Sequence, residues 1–547
     1  MTCHRNIAIL FAAALAPLAP PAFATEAPHG QSGAAGAKMG AVNFPISCSP
    51  AAQNAFREAV WTLHSFWYEE ADKSFGAITQ AEPACAMGYW GIAMSHWYPL
   101  WFPPNPAALK AGSEAVDKAM ATQPKTDRER DYIAAIAAFY RDNDKLDHRT
   151  RSVAYEKAME QVYLRYPDDR EAGVFYALAL NATALPTDKS YANQRKAAAI
   201  LEKVHGEQPQ HPGVAHYLIH SYDSATLAEQ GLPAARSYGQ IAPAVPHAQH
   251  MPSHIFTRLG LWEESIASNL TAHAAALAYV TEASGPGSWD QETLHTMDYL
   301  EYAYLQGAQD GEAKRVVDEL TTFHKGPAAL PVAYAMAAIP ARYALERRNW
   351  AEAAALPPAS APFPWERFPW AEAMTSFTRT LGAARTGDTA GAETGLAKLQ
   401  SLKDKLVQAN DTYWADQVEV QRLGAAAVVA RVQGRDRDSI EQARAAADLE
   451  STMDKHPATP GAILPARELL ADLLLETDDP VAALTEYERS LGTDRNRFRS
   501  ILGKARAAQQ TGDRAKATGA YQQLIALCDK GDTSRPELAE AKSFLGN

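Results

Sequence analysis

A 34-residue recurrence in the C-terminal part of the sequence constrains its fold more than any other feature. Small residues at fixed positions let two antiparallel helices approach closely, and an aromatic residue fills the space to the next pair. Stacked units of this kind pack only on their neighbours, so a chain of 547 residues can fold without one central core. Four residues recur at this shift: Ala471, Asp479, Ala483 and Tyr487 return as Ala505, Asp513, Ala517 and Tyr521.

Helical periodicity extends this pattern over most of the chain. From about Pro50 onward, apolar residues at helical spacing alternate with short breaks rich in Pro, Asp or Gly, and no alternating stretch predicts a strand. Residues 260–266 have the turn and the start of a second helix, and Ala71, Phe75 and Pro83 repeat the spaced alanine, aromatic and terminating proline. The pattern resembles the tetratricopeptide repeat (TPR). It predicts an all-α, TPR-like solenoid of about twelve antiparallel helix pairs.

Three segments that contain histidine extend the resemblance. Residues 63–66, 216–220 and 250–254 are similar to segments of a group of exported bacterial TPR proteins of unassigned function. This resemblance implies the fold and an exported location, and it implies binding rather than chemistry.

The sequence divides into five predicted regions. Arg5 precedes an apolar stretch at 7–18 and small residues at a peptidase site, which predicts a signal peptide; an uncleaved membrane anchor is the alternative. The mature chain is expected to be periplasmic or secreted, with no membrane span after signal removal. A proline- and aromatic-rich stretch is interpreted as a join between two arrays. The predicted regions are 1–24 signal peptide, 25–47 flexible Gly- and Ala-rich leader, 48–355 N-terminal array, 356–370 join and 371–547 C-terminal array.

Three cysteines remain after the predicted signal. Cys48 and Cys85 lie 37 residues apart, close to one repeat, and are expected at the starts of equivalent helices in adjacent units. In an oxidising compartment this spacing favours a disulfide, with two buried thiols as the alternative. Cys528 lies on an apolar helical face and is interpreted as a core residue.

Charge and missing motifs disfavour several classes of function. The formal net charge is −12 and no basic stripe is present, which disfavours a nucleic-acid partner. The sequence has no Gly-rich phosphate loop, dinucleotide fingerprint, His-Glu-x-x-His, Gly-x-Ser-x-Gly or paired-cysteine zinc motif. Common nucleotide-dependent enzymes and hydrolases are therefore not indicated, whereas a different kind of metalloenzyme stays open.

Histidines at repeat spacing are the strongest functional signal among the 16 in the chain. His216 and His220 are one helical turn apart, and His250 and His254 recur 34 residues later. Both pairs take positions that line the concave groove of a TPR stack. The residues between the paired histidines differ in the two units, so recent duplication explains the match poorly. Pro252 leaves one question open, because a helix that starts there would put His250 and His254 on different faces.

The next unit contains about 14 extra residues. When these are left out of the count, His295 takes the position of His247, and Asp298 and Tyr302 take the positions of the paired histidines. Neighbouring helices roughly 8–10 Å apart can direct such side chains to one centre. Imidazoles with a nearby carboxylate suit zinc or another first-row transition metal. The predicted metal ligands are His216, His220, His250, His254, His295 and Asp298. The other predicted groove residues are His64, His247, Asp223 and Tyr302.

Two functions of different classes follow. The first is an exported TPR scaffold that binds a protein or peptide in its concave groove, with the His/Asp cluster as functional centre. The second is a transition-metal-binding protein or metal-dependent enzyme that uses the same cluster. The sequence favours the scaffold, since groove histidines also form hydrogen-bonded networks without metal. It leaves the partner, the metal, any reaction and the oligomeric state open.

Overall fold

Helices follow one another along the chain that the computed structural model describes, residues 40–100, 103–357 and 363–546. The first half contains α1 (Pro50–His64), α2 (Tyr68–Ala81), α3 (Ala86–Ser95), α4 (Pro106–Ala121), α5 (Asp127–Tyr140), α6 (His148–Arg165), α7 (Arg170–Thr183), α8 (Ala192–Glu207), α9 (Pro212–Tyr222), α10 (Ala228–Ile241), α11 (Pro246–His250), α12 (Pro252–Leu259) and α13 (Trp262–Ser284). The second half contains α14 (Gln291–Gln306), α15 (Asp310–Leu320), α16 (Leu330–Glu346), α17 (Trp350–Ala355), a 3-10 helix (Trp365–Arg367), α18 (Pro369–Thr386), α19 (Thr389–Gln408), α20 (Thr412–Val432), α21 (Asp436–Ser451), α22 (Ala466–Glu476), α23 (Pro480–Thr493), α24 (Phe498–Gln510), α25 (Arg514–Leu527) and α26 (Pro536–Leu545).

The helices stack as repeated pairs. Successive helices pack against each other, and alternate helices such as α7 and α9, α14 and α16, or α18 and α20 also touch. Contacts between alternate helices are the stacking contacts of a solenoid, in which each pair covers the apolar face of the pair before it. The predicted all-α, TPR-like fold is confirmed.

The C-terminal repeat has the local structure that its recurring residues predict. Asp479 and Asp513 cap α23 and α25, each side chain accepting a hydrogen bond from the backbone N–H three residues later. A Cβ at Gly503 would lie 2.1 Å from Cζ of Tyr487, so only glycine lets α24 lie directly on this tyrosine. The small residues therefore set how closely neighbouring pairs approach.

A disulfide closes the N-terminal end of the described chain. Cys48 precedes α1 and Cys85 caps α3, and their Cα atoms lie 5.4 Å apart; the predicted Cys48–Cys85 bond is confirmed. Residues 40–47 belong to the predicted leader, yet Phe44 is buried and its ring packs on that of Phe56. The predicted signal peptide and residues 25–39 lie outside the described residues. None of the described helices has the length and apolar character needed to cross a membrane.

The core continues past the predicted join between the two arrays. Phe368 and Trp370 are buried, and the Trp370 ring stacks on Trp414 with centroids 4.2 Å apart. One apolar cluster runs from α16 to α24, and the described residues belong to one compact unit. Residues 358–362 of the join lie outside the described part.

The connection between α21 and α22, residues 452–465, lies against helices from the first half of the chain. Lys455 Nζ is 3.0 Å from a carboxylate oxygen of Asp223, at the end of α9. The Tyr299 hydroxyl, on α14, donates to the backbone carbonyl of Thr459 at 3.0 Å. The helices that carry the predicted site are thus covered by a later segment of the same chain.

Candidate metal centre

Three stacked units bring six histidines together. They come from α9, from α11 with α12, and from α14, which are the first helices of consecutive units. Within each of two groups, one ring nitrogen per histidine lies within 4.8 Å of the others. The first group is His216, His220 and His247, and the second group is His250, His254 and His295.

Pro252 begins a helix without separating the two histidines beside it. The helix α11 ends at His250 and α12 starts at Pro252, but Met251 between them keeps helical angles, φ −51° and ψ −36°. The chain therefore continues on a helical course, and the Nε2 atoms of His250 and His254 lie 3.0 Å apart. The expectation that a helix starting at Pro252 would keep these side chains apart is wrong.

Both imidazoles of this pair have a defined tautomer. Nδ1 of His250 lies 2.6 Å from Oδ1 of Asn269, and that amide is oriented because its NH₂ group donates to the Ser265 carbonyl. Nδ1 of His254 lies 3.0 Å from a carboxylate oxygen of Asp223. Since both partners accept, each Nδ1 carries the proton of a neutral imidazole and each Nε2 is bare. Burial lowers the pKa of His250 and of His254 to about 3, which keeps both rings neutral.

In the first group, the backbone orients His216 in a similar way. Nδ1 of His216 donates to the backbone carbonyl of His64 at 2.7 Å, so its Nε2 is bare. That Nε2 lies 3.1 Å from Nε2 of His220 and 3.2 Å from Nε2 of His247. The approach of α9 to His64, on α1, depends on Gly213, where an added Cβ would meet the His64 ring at 2.5 Å. Burial lowers the pKa of His220 and of His247 to about 3 and that of His216 well below its usual value.

Glu292 and Phe66 border the first group. One carboxylate oxygen of Glu292 lies 3.1 Å from Nδ1 of His247, and burial raises the pKa of this carboxyl to about 7. The Phe66 ring packs edge-on against His216 with centroids 4.3 Å apart and stacks on the rings of His220 and His247. The apolar ring therefore leaves little room beside the three nitrogens.

Asp223 connects the second group to basic side chains. Its carboxylate accepts from Nε of Arg258 at 2.8 Å and from Nζ of Lys455 at 3.0 Å, in addition to His254. Burial alone would raise the pKa of Asp223, but Lys455 and Arg258 hold it well below the usual value. The residue is therefore an anion that orients His254.

The structure does not bring Asp298 or Tyr302 into either group, although both share α14 with His295. The Asp298 carboxylate accepts from Nη1 of Arg342 at 2.7 Å, in a fully buried ion pair. The Tyr302 hydroxyl accepts from Nη1 of Arg497 at 2.9 Å. Each side chain is paired with an arginine from a later part of the chain, so neither is included in the centre.

A third cluster, around Glu171, is already satisfied by protein partners. Its two carboxylate oxygens lie 2.9 Å from Nε2 of His64 and of His211. Nδ1 of His211 accepts from the Val214 N–H, and Nδ1 of His64 lies 3.0 Å from the Tyr217 hydroxyl. Burial would raise the pKa of Glu171, but the two imidazoles hold it well below the usual value. No two bare nitrogens face each other here, so His64 belongs to a hydrogen-bonded network.

Sequence reasoning did not identify several parts of the centre. His247 was expected as a groove residue, yet its ring nitrogen joins His216 and His220. Its spacing of three residues from His250 on one helix was the available signal. Asn269 and the His64 carbonyl carried no signal, because they reach the histidines only through packing.

Comparisons with known proteins add only distant likenesses. No protein-family model and no curated protein matches the sequence. Solved structures with some similarity include yeast Tom70, at 11% identity and TM-score 0.34, covering 91% of this chain and 96% of that chain. A monomeric IFIT1 mutant with m7Gppp-AAAA has 11% identity and TM-score 0.34, covering 81% and 90%. Naa15/Naa10 bound to HypK-THB has 12% identity and TM-score 0.23, covering 90% and 72%. These similarities are too distant to support any conclusion about function. The resemblance to exported bacterial TPR proteins stays a prediction.

Proposed function

We propose that this chain binds transition-metal ions, one in each three-histidine group. One observation supports this most directly: the bare Nε2 atoms of His250 and His254 face each other at 3.0 Å. Two lone pairs at that separation repel each other, and burial disfavours relief by protonation. A metal ion bound by both nitrogens turns this repulsion into two favourable bonds.

The donor set fits a first-row ion. Imidazole nitrogens bind zinc at roughly 2.0–2.1 Å, so two such ligands in a tetrahedral arrangement lie about 3.3 Å apart. The Nε2 separations are 3.0 Å in the second group, and 3.1 and 3.2 Å in the first group. Imidazole donors without thiolate suit zinc, copper, iron or nickel.

Residues behind the ligands support the same function. The carbonyl of His64, the amide of Asn269 and the carboxylate of Asp223 hold Nδ1 of their histidines, which directs Nε2 into the groups. With three protein ligands, a bound ion keeps an open position at which it supplies Lewis acidity.

Binding of a protein or peptide partner stays a prediction for this TPR-like helical scaffold. At the second group, a partner would compete with residues 452–465, because Lys455 and Thr459 already contact Asp223 and Tyr299. The geometry around the histidines therefore favours an ion over an extended peptide as the ligand of this site.

Metal analysis of the untagged protein tests the proposal. After removal of metal with a chelator and titration with zinc, we expect uptake of two ions per chain, one for each group. His216→Gln and His254→Gln are each expected to remove one ion, whereas His324→Gln, at an exposed histidine, is the matched control and keeps both. Circular dichroism melting verifies that the variants fold. Trace metal only, with no uptake by the folded wild-type chain, would refute the function.

A further inference from the structure

The two three-histidine groups are direct neighbours. His247 and His250 lie three residues apart on α11, with ring centroids separated by 6.1 Å. The rings of His220 and His254 are separated by 6.2 Å. Two pairs of neighbouring rings thus connect the groups, and ions held in the groups would lie side by side.

The charges around the groups do not balance two divalent ions. All six donors are neutral imidazoles, and the carboxylates that face them, Asp223 and Glu292, lie behind the ligands on the Nδ1 side. Asp223 is already paired with Arg258 and Lys455. Burial of uncompensated charge is costly, so a buried pair of divalent ions favours an anion in direct contact with them.

The space for such an anion is small. Five of the six histidines are buried and His220 is partly exposed, so a ligand from solvent enters beside His220. The Phe66 ring covers the first group at that side. A ligand of one to a few atoms fits these surroundings better than an organic substrate.

We infer, on the basis of the proposed metal binding, that the two groups form one two-metal centre whose ions share a single small anion. Three protein ligands per ion leave an open position on each, and adjacent groups let one ligand occupy both positions. The expected native occupant is hydroxide, formed when a bound water molecule releases one proton to solvent. Other small anions with nitrogen or oxygen donors compete for the same position.

Copper(II) and azide provide the test, because nitrogen donors bind copper(II) tightly and its unpaired electron reports on a neighbouring ion. Metal-free protein is loaded with copper(II), freed of excess metal, analysed for copper and examined by electron paramagnetic resonance. We expect two coppers per chain and an electron paramagnetic resonance signal much weaker than that of two independent ions. Added azide should give an absorption band that saturates at one azide per two coppers.

Variants and alternative outcomes keep the test decisive. His220→Gln and His295→Gln are each expected to leave one copper with the full signal of an isolated ion. His273→Gln, whose imidazole pairs with Glu319 outside both groups, is the control and keeps the coupled pair. Two coppers with the full signal of two ions, or one azide per copper, would overturn the shared centre while leaving metal binding intact. Failure of the folded chain to bind two coppers would overturn the shared centre, and failure to take up zinc as well would overturn metal binding.

Discussion

Lys455 Nζ lies 3.0 Å from Oδ2 of Asp223, so two residues 232 positions apart meet beside His254. The same carboxylate oxygen is the partner of the His254 imidazole. The orientation of one candidate ligand therefore depends on a carboxylate whose charge is balanced by a segment from the second half of the chain.

Lys455→Met should destabilise the metal-free protein. The Lys455 side chain is only 10% exposed, and its removal leaves Asp223 with only Arg258 as a basic partner. Loss of one partner from a buried ion pair costs about 3 kcal/mol of unfolding free energy. Denaturant titration measures this cost. Lys110→Met, which removes an exposed i,i+4 pair with Glu114, is the control and should change stability little. Equal losses in the two variants would contradict the role of Lys455.

Asn269→Leu should weaken metal binding at the second group alone. The variant keeps a similar volume but removes the acceptor that holds Nδ1 of His250. Loss of such an orienting partner typically reduces metal affinity by about 10- to 100-fold. Competition titration with a zinc indicator measures both sites. Asn269→Asp keeps an acceptor oxygen and should retain most of the affinity. If the leucine variant binds both ions normally, the orienting role of Asn269 is wrong.

Gly213→Ala and Gly206→Ala should change stability in opposite directions. An added Cβ at Gly213 would meet Nδ1 of His64 at 2.5 Å, and such overpacking costs about 1–3 kcal/mol. Gly206, near the end of α8, has no atom within 4 Å of that position, so alanine there should stabilise by up to about 1 kcal/mol. Thermal and denaturant unfolding measure both. If Gly213→Ala leaves the free energy of unfolding unchanged, α1 and α9 can move apart at no cost.

Acid should destabilise the metal-free protein from about pH 6.5 downward. An unfolded histidine has a pKa of about 6.5, so below that pH the unfolded chain binds more protons than the folded chain. Stability is therefore fully present above this value and is lost as pH falls toward 3, by up to about 1.4 kcal/mol per pH unit for each histidine. Denaturant titrations between pH 8 and pH 4, with chelator present, measure the slope. Burial lowers the pKa to about 3 for His220, His247, His250 and His254.

A variant distinguishes these histidines from other acid-sensitive groups. His250→Gln with His254→Gln removes two of the buried imidazoles, so its stability should depend less steeply on pH. A wild-type protein whose unfolding free energy stays constant from pH 8 to pH 4 would contradict the burial of these rings in neutral form.

Local patterns made the fold and part of the centre predictable. The 34-residue recurrence and the Cys48–Cys85 spacing correspond to one helix pair, and a pair is a local structure. The i,i+4 histidines could be identified because helical geometry puts such residues on one face. The exclusion of Asp298 could not be predicted, since its partner Arg342 comes from α16 and meets it only when the units stack.

The sequence by itself determined the helices, their turns and the presence of histidines on consecutive first helices, because a period of 3.6 residues and capping side chains act within one unit. Only the tertiary structure decided which ring nitrogens face each other. The tautomers depend on the His64 carbonyl, Asn269 and Asp223, which belong to different helices. A buried polar group takes whichever partner packing brings within reach, and that partner has no fixed distance along the chain.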